Sequence, residues 1–274
     1  MRNKELARRT GIAAIYIPLI FGVILLGRIF FLFLVSIIAS IALWELYGLA
    51  QKKGFAPSKS YGIVSVLAIT IEFYIHGGTW LGYILFIILF GFLLIELFKG
   101  KPQSLANVAI SFFGVLYLSL FSSFILIREL PIRMGLPYRF GGWIVILIFS
   151  TIWICDTGAY LFGAQFGKHP LFPRVSPQKT WEGAFAGFFT GILASIGLRY
   201  LLVPSFSIVD CVVIGVIVGV FGQISDLIES LYKRDCGVKD SSNILPGHGG
   251  FLDRFDSPLL VGPLVYIYLL MFGH

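Results

Sequence analysis

Charge is what this sequence has least of. Of its 274 residues only 13% are Asp, Glu, Lys or Arg, 57% are hydrophobic, and the mean hydropathy is +0.90. A soluble globular domain carries about 25% charged residues, so that class is excluded. Cysteine is nearly absent: Cys155, Cys211 and Cys236 lie far apart and support neither a disulfide framework nor a CxxC metal site. There are no alternating segments of the kind that build membrane β-barrels, and no internal repeat of the kind that marks many transporters. No small-residue cleavage site follows MRNKELARRT, so the first apolar helix is expected to stay in place.

What is present is a series of continuous apolar runs, at 11–27, 29–50, 61–76, 79–98, 104–127, 141–163, 180–203, 208–229 and 257–272. Each approaches the ~20 residues that cross a ~30 Å hydrocarbon core. Only helices satisfy the backbone of such runs in lipid, so the expected fold class is all-α, a polytopic integral membrane protein with about nine transmembrane helices. If the helices alternate, one side receives Arg2, Lys4, Arg8, Arg9, Lys52, Lys53, Lys59, Lys99, Lys101, Lys168, Arg174, Lys179, Lys233, Arg234, Lys239 and Arg254. The other side receives Arg28, Arg128, Arg133, Arg139 and Arg199. The positive-inside rule then makes the N-terminus and the charged loops cytoplasmic and puts His274 outside, in the cytoplasmic (inner) membrane of a cell. This bias accounts for the net charge of +7 without a nucleic-acid partner.

Residues 1–127 have short loops and read as a transmembrane scaffold, in which Glu45, Glu72 and Glu96 fall near helix ends as capping or snorkelling groups. From 128 to 274 the pattern changes, and two polar loops, 163–179 and 230–256, mark a catalytic region. Asp156, in "WICDTGAYLFG", lies short of the end of its run, where an unpartnered carboxylate costs at least about 2.5 kcal/mol. Either neighbouring groups satisfy it or it faces a polar cavity. "SPQKTWEG" offers Ser176 or Thr180 as an N-cap, Glu182 in the first turn and Lys179 beside free N–H groups, a setting suited to an anion.

In "GQISDLIESLYKRD", Asp226, Glu229, Ser230 and Lys233 fall at i, i+3, i+4 and i+7 and share one helix face. After Gly249 and Gly250, Asp253 and Asp256 are again at i, i+3. Carboxylates without a His/Cys cluster suit a hard cation such as Mg²⁺, which is held by one or two carboxylates together with substrate phosphates. Lys and Arg on the same loop suit those phosphates, and the combination describes phosphoryl or nucleotidyl transfer. Asp226 is chosen as a metal ligand because it lies within the apolar run; Asp253 joins it through the Gly-Gly turn, and Asp256 assists.

The stretch "SLYKRDCGVKDSSNILPGHGGFLDRFD" closely resembles the signature of the phosphatidate cytidylyltransferases, or CDP-diacylglycerol synthases. The matching positions are Ser230, Lys233, Arg234, Lys239, Asp240, Pro246, His248, Gly249, Gly250, Asp253, Arg254 and Asp256, with Tyr232 as the one departure. "CDTGAYLFG" and "SPQKTWEG" are similar to the family's other polar segments. The resemblance implies Mg²⁺-dependent transfer of CMP from CTP to phosphatidate, giving CDP-diacylglycerol and pyrophosphate. The residues then take roles: Asp226, Asp253 and Asp256 at the metal, with Lys233 and Arg254 neutralising phosphate. Asp156, Ser176, Lys179, Thr180, Glu182, Ser230, Arg234, Lys239, Asp240, His248, Gly249 and Gly250 line the substrates. No protein nucleophile is evident, so direct attack by a phosphatidate oxygen is expected, with His248 contacting a phosphate or ordering its loop rather than removing a proton. An ion-coupled transporter is the alternative, but it would spread polar residues through the full membrane thickness. The sequence leaves a homodimer open.

Overall fold

A computed structural model describes residues 16–100, 102–133, 135–242, 244 and 249–273. In chain order its helices are α1 (Tyr16–Leu26), α2 (Arg28–Lys52), α3 (Lys59–His76), α4 (Leu81–Lys99), α5 (Ser104–Ser119), α6 (Ser123–Arg133) and α7 (Tyr138–Phe166). They continue with α8 (Trp181–Leu202), α9 (Ile208–Ile217), α10 (Gln223–Asp235) and α11 (Leu252–Phe272). A short 3₁₀ turn runs α5 into α6, and a π turn, Val218–Gly222, runs α9 into α10.

Seven helical stretches among the described residues are long and apolar enough to cross a membrane, which makes this an all-α, multi-pass membrane protein. The other two expected spans are not among these seven, so the count of about nine is not reached among the described residues. The described part of the first is the 11-residue α1, and α3 carries Ser60, Ser65, Thr70 and Glu72 along its 18 residues. The expected position of His274 lies outside the described residues. One departure from pure helix is a small antiparallel hairpin between α7 and α8, β1 (Pro170–Phe172) with β2 (Ser176–Thr180). The expected loop 163–179 is therefore largely ordered. The expected loop 230–256 is shorter as well, because α10 runs on to Asp235 and α11 starts at Leu252.

The chain forms two compact units: residues up to Ile125 together with Cys236–Arg254, and Leu126–Asp235 together with the chain from Phe255. In the first, α2 packs on α3 and α5 around Tyr47, whose hydroxyl donates to the Ser111 carbonyl at 2.5 Å. Gly62 and Gly114 leave the room for its ring. Two of the scaffold's acids find a donor close in sequence. Glu72 accepts from the Trp80 amide at 2.8 Å and Glu96 from Asn107 Nδ2 at 2.7 Å. In the second unit α7 and α8 form the central pair, and α9 packs on α8.

Candidate active site

Small residues set the geometry of the second unit. Gly183, Gly187 and Gly191 recur every four residues along α8, and a Cβ on Gly187 would lie 2.9 Å from Ala159 Cβ and 3.2 Å from the Cys155 carbonyl oxygen. On α9, a Cβ at Gly215 would fall 2.5 Å from Ile192 Cα. Helix backbones in lipid approach this closely only where side chains are absent. Gln223, at the start of α10, then donates through Nε2 to the carbonyls of Ala184 (3.1 Å) and Gly219 (2.6 Å). Polar groups from α7, β2 and α10 are thereby brought together.

Thr180 is the N-cap of α8, its hydroxyl accepting from the Gly183 amide at 3.2 Å. The alternative cap, Ser176, lies in β2 instead, because the chain extends into the hairpin before the helix begins. Lys179, one residue before the cap, places Nζ 2.6 Å from Asp226 Oδ2, with both side chains about one-third exposed. The expected stripe on α10 is present: Ser230 Oγ lies 3.4 Å from Asp226 Oδ1, and Lys233 forms an ion pair with the fully buried Glu229. The Asp256 carbonyl accepts from Ser225 Oγ at 2.6 Å, which fastens this part of α11 to α10. Carboxylate oxygens of Asp226, Glu229 and Asp256 come within 4.8 Å of one another. Asp156, on α7, lies within electrostatic reach of Asp226 and Lys179.

Two further expected substrate residues are engaged with the hairpin. Glu182 accepts from the Lys168 and His169 amides at 3.1 and 3.3 Å and pairs with His169 Nδ1 at 2.6 Å. Arg234 Nε donates to the Val175 carbonyl at 3.1 Å. Both side chains hold the turn that precedes Lys179.

Lys239, Asp240, Gly249, Gly250, Asp253 and Arg254 belong to the first unit; His248 lies outside the described residues. Asp253 Oδ2 accepts from the Gly250 amide (2.7 Å), the Ser241 amide (3.0 Å) and Ser241 Oγ (2.9 Å). Asp253 and Asp256 do not follow one another along a regular helix, because the backbone leaves helical geometry at Phe255 (φ −121°, ψ 18°). Pro258 is the physical cause: it removes the hydrogen bond to the Arg254 carbonyl and its ring crowds that group. Spacing alone had placed these two acids on one face.

The acidic group that could hold a metal among the described residues is Asp226, Glu229 and Asp256; Glu229 was not among the ligands expected from the sequence, and Asp253 belongs to the first unit. The signal for Glu229 was its i+3 spacing from Asp226. The donors are all oxygen, which fits a hard divalent cation and excludes the sulfur- or imidazole-rich sets of structural zinc. A lysine beside a cluster of carboxylates at a capped helix start is the equipment of phosphate chemistry.

The model of the cytidylyltransferase family matches residues 7–272, nearly the whole chain. The chain belongs to the cytidylyltransferase family. It is 34% identical over 266 residues to the phosphatidate cytidylyltransferase of Staphylococcus aureus (strain COL), covering 96% of this chain and 98% of that protein. It is also 34% identical over 268 residues to the phosphatidate cytidylyltransferase of Staphylococcus haemolyticus (strain JCSC1435), with the same coverage. As a cytidylyltransferase it is a nucleotidyltransferase.

Proposed function

We propose that this chain transfers CMP from CTP to phosphatidate, releasing pyrophosphate and leaving CDP-diacylglycerol in the bilayer. The observation that carries the reading is the junction of Lys179, Asp226, Glu229 and Asp256 in a membrane-embedded helical unit of a cytidylyltransferase. It is supported by relatives of the same length that are named for this reaction. An oxygen of the phosphatidate phosphate attacks the α-phosphorus of CTP, the bond to the β-phosphate oxygen breaks, and pyrophosphate leaves with that electron pair. The phosphatidate phosphate is already anionic near neutral pH, so the protein's task is positioning and charge neutralisation. Lys179 meets the CTP phosphates, held at the start of α8 by Thr180 and the hairpin. Asp226, Glu229 and Asp256 are the residues that would hold Mg²⁺, which when bound neutralises charge on the phosphate oxygens. Lys233 keeps Glu229 compensated, and Asp253 orders the loop of the first unit. Pyrophosphate release that requires both CTP and phosphatidate tests the reading; release indifferent to the lipid would overturn it.

Lys179→Ala should raise the KM for CTP by roughly 10- to 10²-fold, the scale of one lost hydrogen bond to a charged group, with a much smaller effect on the phosphatidate KM. Steady-state kinetics with each substrate varied in turn check this, and equal weakening toward both would remove Lys179 from the nucleotide role.

The positive-inside reading places the protein in the cytoplasmic membrane with its N-terminus and the 163–179 and 230–256 segments in the cytosol, where CTP is found. A single cysteine at position 240 in a cysteine-free background should react with a membrane-impermeant maleimide only after the membrane is opened. Labelling in intact cells would contradict both the topology and the proposed access to CTP.

A further inference from the structure

Lys179, which the proposed function sets on the CTP phosphates, is the fourth residue of β2, in a hairpin of one three-residue and one five-residue strand. A two-stranded hairpin of this size is marginal by itself in water. Other groups must hold its backbone still if Lys179 Nζ is to stay 2.6 Å from Asp226. The second unit fastens the hairpin at both ends. At the tip, Val175 is buried and its carbonyl accepts from Arg234 Nε of α10 at 3.1 Å. At the base, the His169 carbonyl accepts from the Trp181 amide at 2.9 Å. Gly167 leaves room there for Thr180, whose Cγ2 would stand 2.7 Å from an added Cβ.

Glu182 completes the base. It stands in the first turn of α8, where a carboxylate suits the positive end of the helix dipole. Its oxygens are nevertheless engaged by the hairpin's entry: Oε2 accepts from the Lys168 and His169 amides at 3.1 and 3.3 Å, and Oε1 meets His169 Nδ1 at 2.6 Å. These contacts cross from α8 to the residues just ahead of β1, the strand that pairs with β2. The carboxylate therefore ties the start of the hairpin to its exit, where Lys179 lies. The sequence reading put Glu182 among the substrate contacts. Both substrates are anionic phosphates, which a carboxylate repels, and both of its oxygens already meet donors of the protein.

We propose that Glu182 is a positioning residue for the cytidylyl transfer: acting through the base of the hairpin, it holds Lys179 where it meets the CTP phosphates. The proposal rests on the function given above. Glu182→Ala and Glu182→Gln in the full-length protein in detergent, each alone and combined with Lys179→Ala, test it. Glu182→Ala should raise the KM for CTP about tenfold, with a much smaller effect on the phosphatidate KM. The amides of Lys168, His169 and β2 should exchange at least about tenfold faster. Glutamine keeps an acceptor for the two amides and loses the charge, so Glu182→Gln should stay within about threefold of the wild-type KM. A carboxylate acting on substrate or metal through its charge would lose as much in Glu182→Gln as in Glu182→Ala. Added to Lys179→Ala, Glu182→Ala should raise the KM no further, because the residue through which it acts is gone. A merely structural role would reduce the active fraction, lowering kcat and leaving KM in place. If Glu182→Ala does not fold, His169→Ala decides, since it removes one of the three contacts at a side chain 77% exposed; the same shift of about threefold is expected. An unchanged KM, effects that add to those of Lys179→Ala, or equal damage from Glu182→Gln and Glu182→Ala overturns the proposal. If the wild-type chain makes no CDP-diacylglycerol, the proposed function falls and this role with it; a wild type that does so beside variants with unchanged KM overturns this role alone.

Discussion

Asp226→Asn is expected to abolish turnover, by about 10²–10³-fold or more, without loss of folded protein. The side chain keeps its shape and loses its charge. Its position explains the size of the effect: Asp226 pairs with Lys179, 2.6 Å away, and belongs to the cluster with Glu229 and Asp256. Asparagine would leave Lys179 without its counter-charge and the cluster with one acid fewer for a divalent cation. Raising Mg²⁺ should not restore the rate, because the missing group is a ligand rather than an occupancy. Asp256→Asn should behave in the same way. A purely structural pair between Lys179 and Asp226 predicts a lower melting temperature with near-normal turnover instead. Initial rates and thermal melts on the same preparation separate the two.

Lys233→Met is expected to destabilise the second unit by about 3–5 kcal/mol, the cost of breaking a buried ion pair from one side. Glu229 is wholly buried and the Lys233 side chain only 10% exposed, so water cannot stand in for the lost ammonium. Replacing both, Glu229→Leu with Lys233→Met, should recover most of that stability, since an apolar pair of similar volume is often neutral or better than a buried ion pair. Activity should not return with it, because the double variant still lacks one acid of the cluster. A single variant that melts like the wild type would contradict the assignment, and so would a double variant that regains both stability and turnover.

Much of this was legible in the sequence because lipid simplifies the reading. Backbone polar groups leave no alternative to helix over long apolar runs, and most helix limits fall within a few residues of the runs that announced them. The stripe Asp226, Glu229, Ser230, Lys233 was legible for a related reason: helical period alone places those groups together. The approach of Lys179 to Asp226 was not legible. It depends on Gly215 and Gly219 letting the α9–α10 stretch close on α8, a four-residue glycine spacing that could have been noticed but whose partner helix could not. Asp253 shows a different limit. Its i, i+3 relation to Asp256 assumed a regular helix, and Pro258 breaks that regularity at Phe255. Glu45 could only be read as an acid near a helix end, since its donors, among them the Ser241 hydroxyl and the Leu252 amide, lie about 200 residues away and nothing local announces them.

The most direct test of the central claim follows the phosphorus atoms of CTP. Purified protein is incubated with phosphatidate, Mg²⁺ and CTP labelled in turn at the α- and the γ-phosphate, and the lipid phase is separated from the aqueous one. The account predicts that the α-label appears in lipid as CDP-diacylglycerol, that the γ-label leaves as pyrophosphate, and that Asp226→Asn does neither. Transfer of the γ-label to lipid, or no lipid label from a folded wild-type protein, would contradict it.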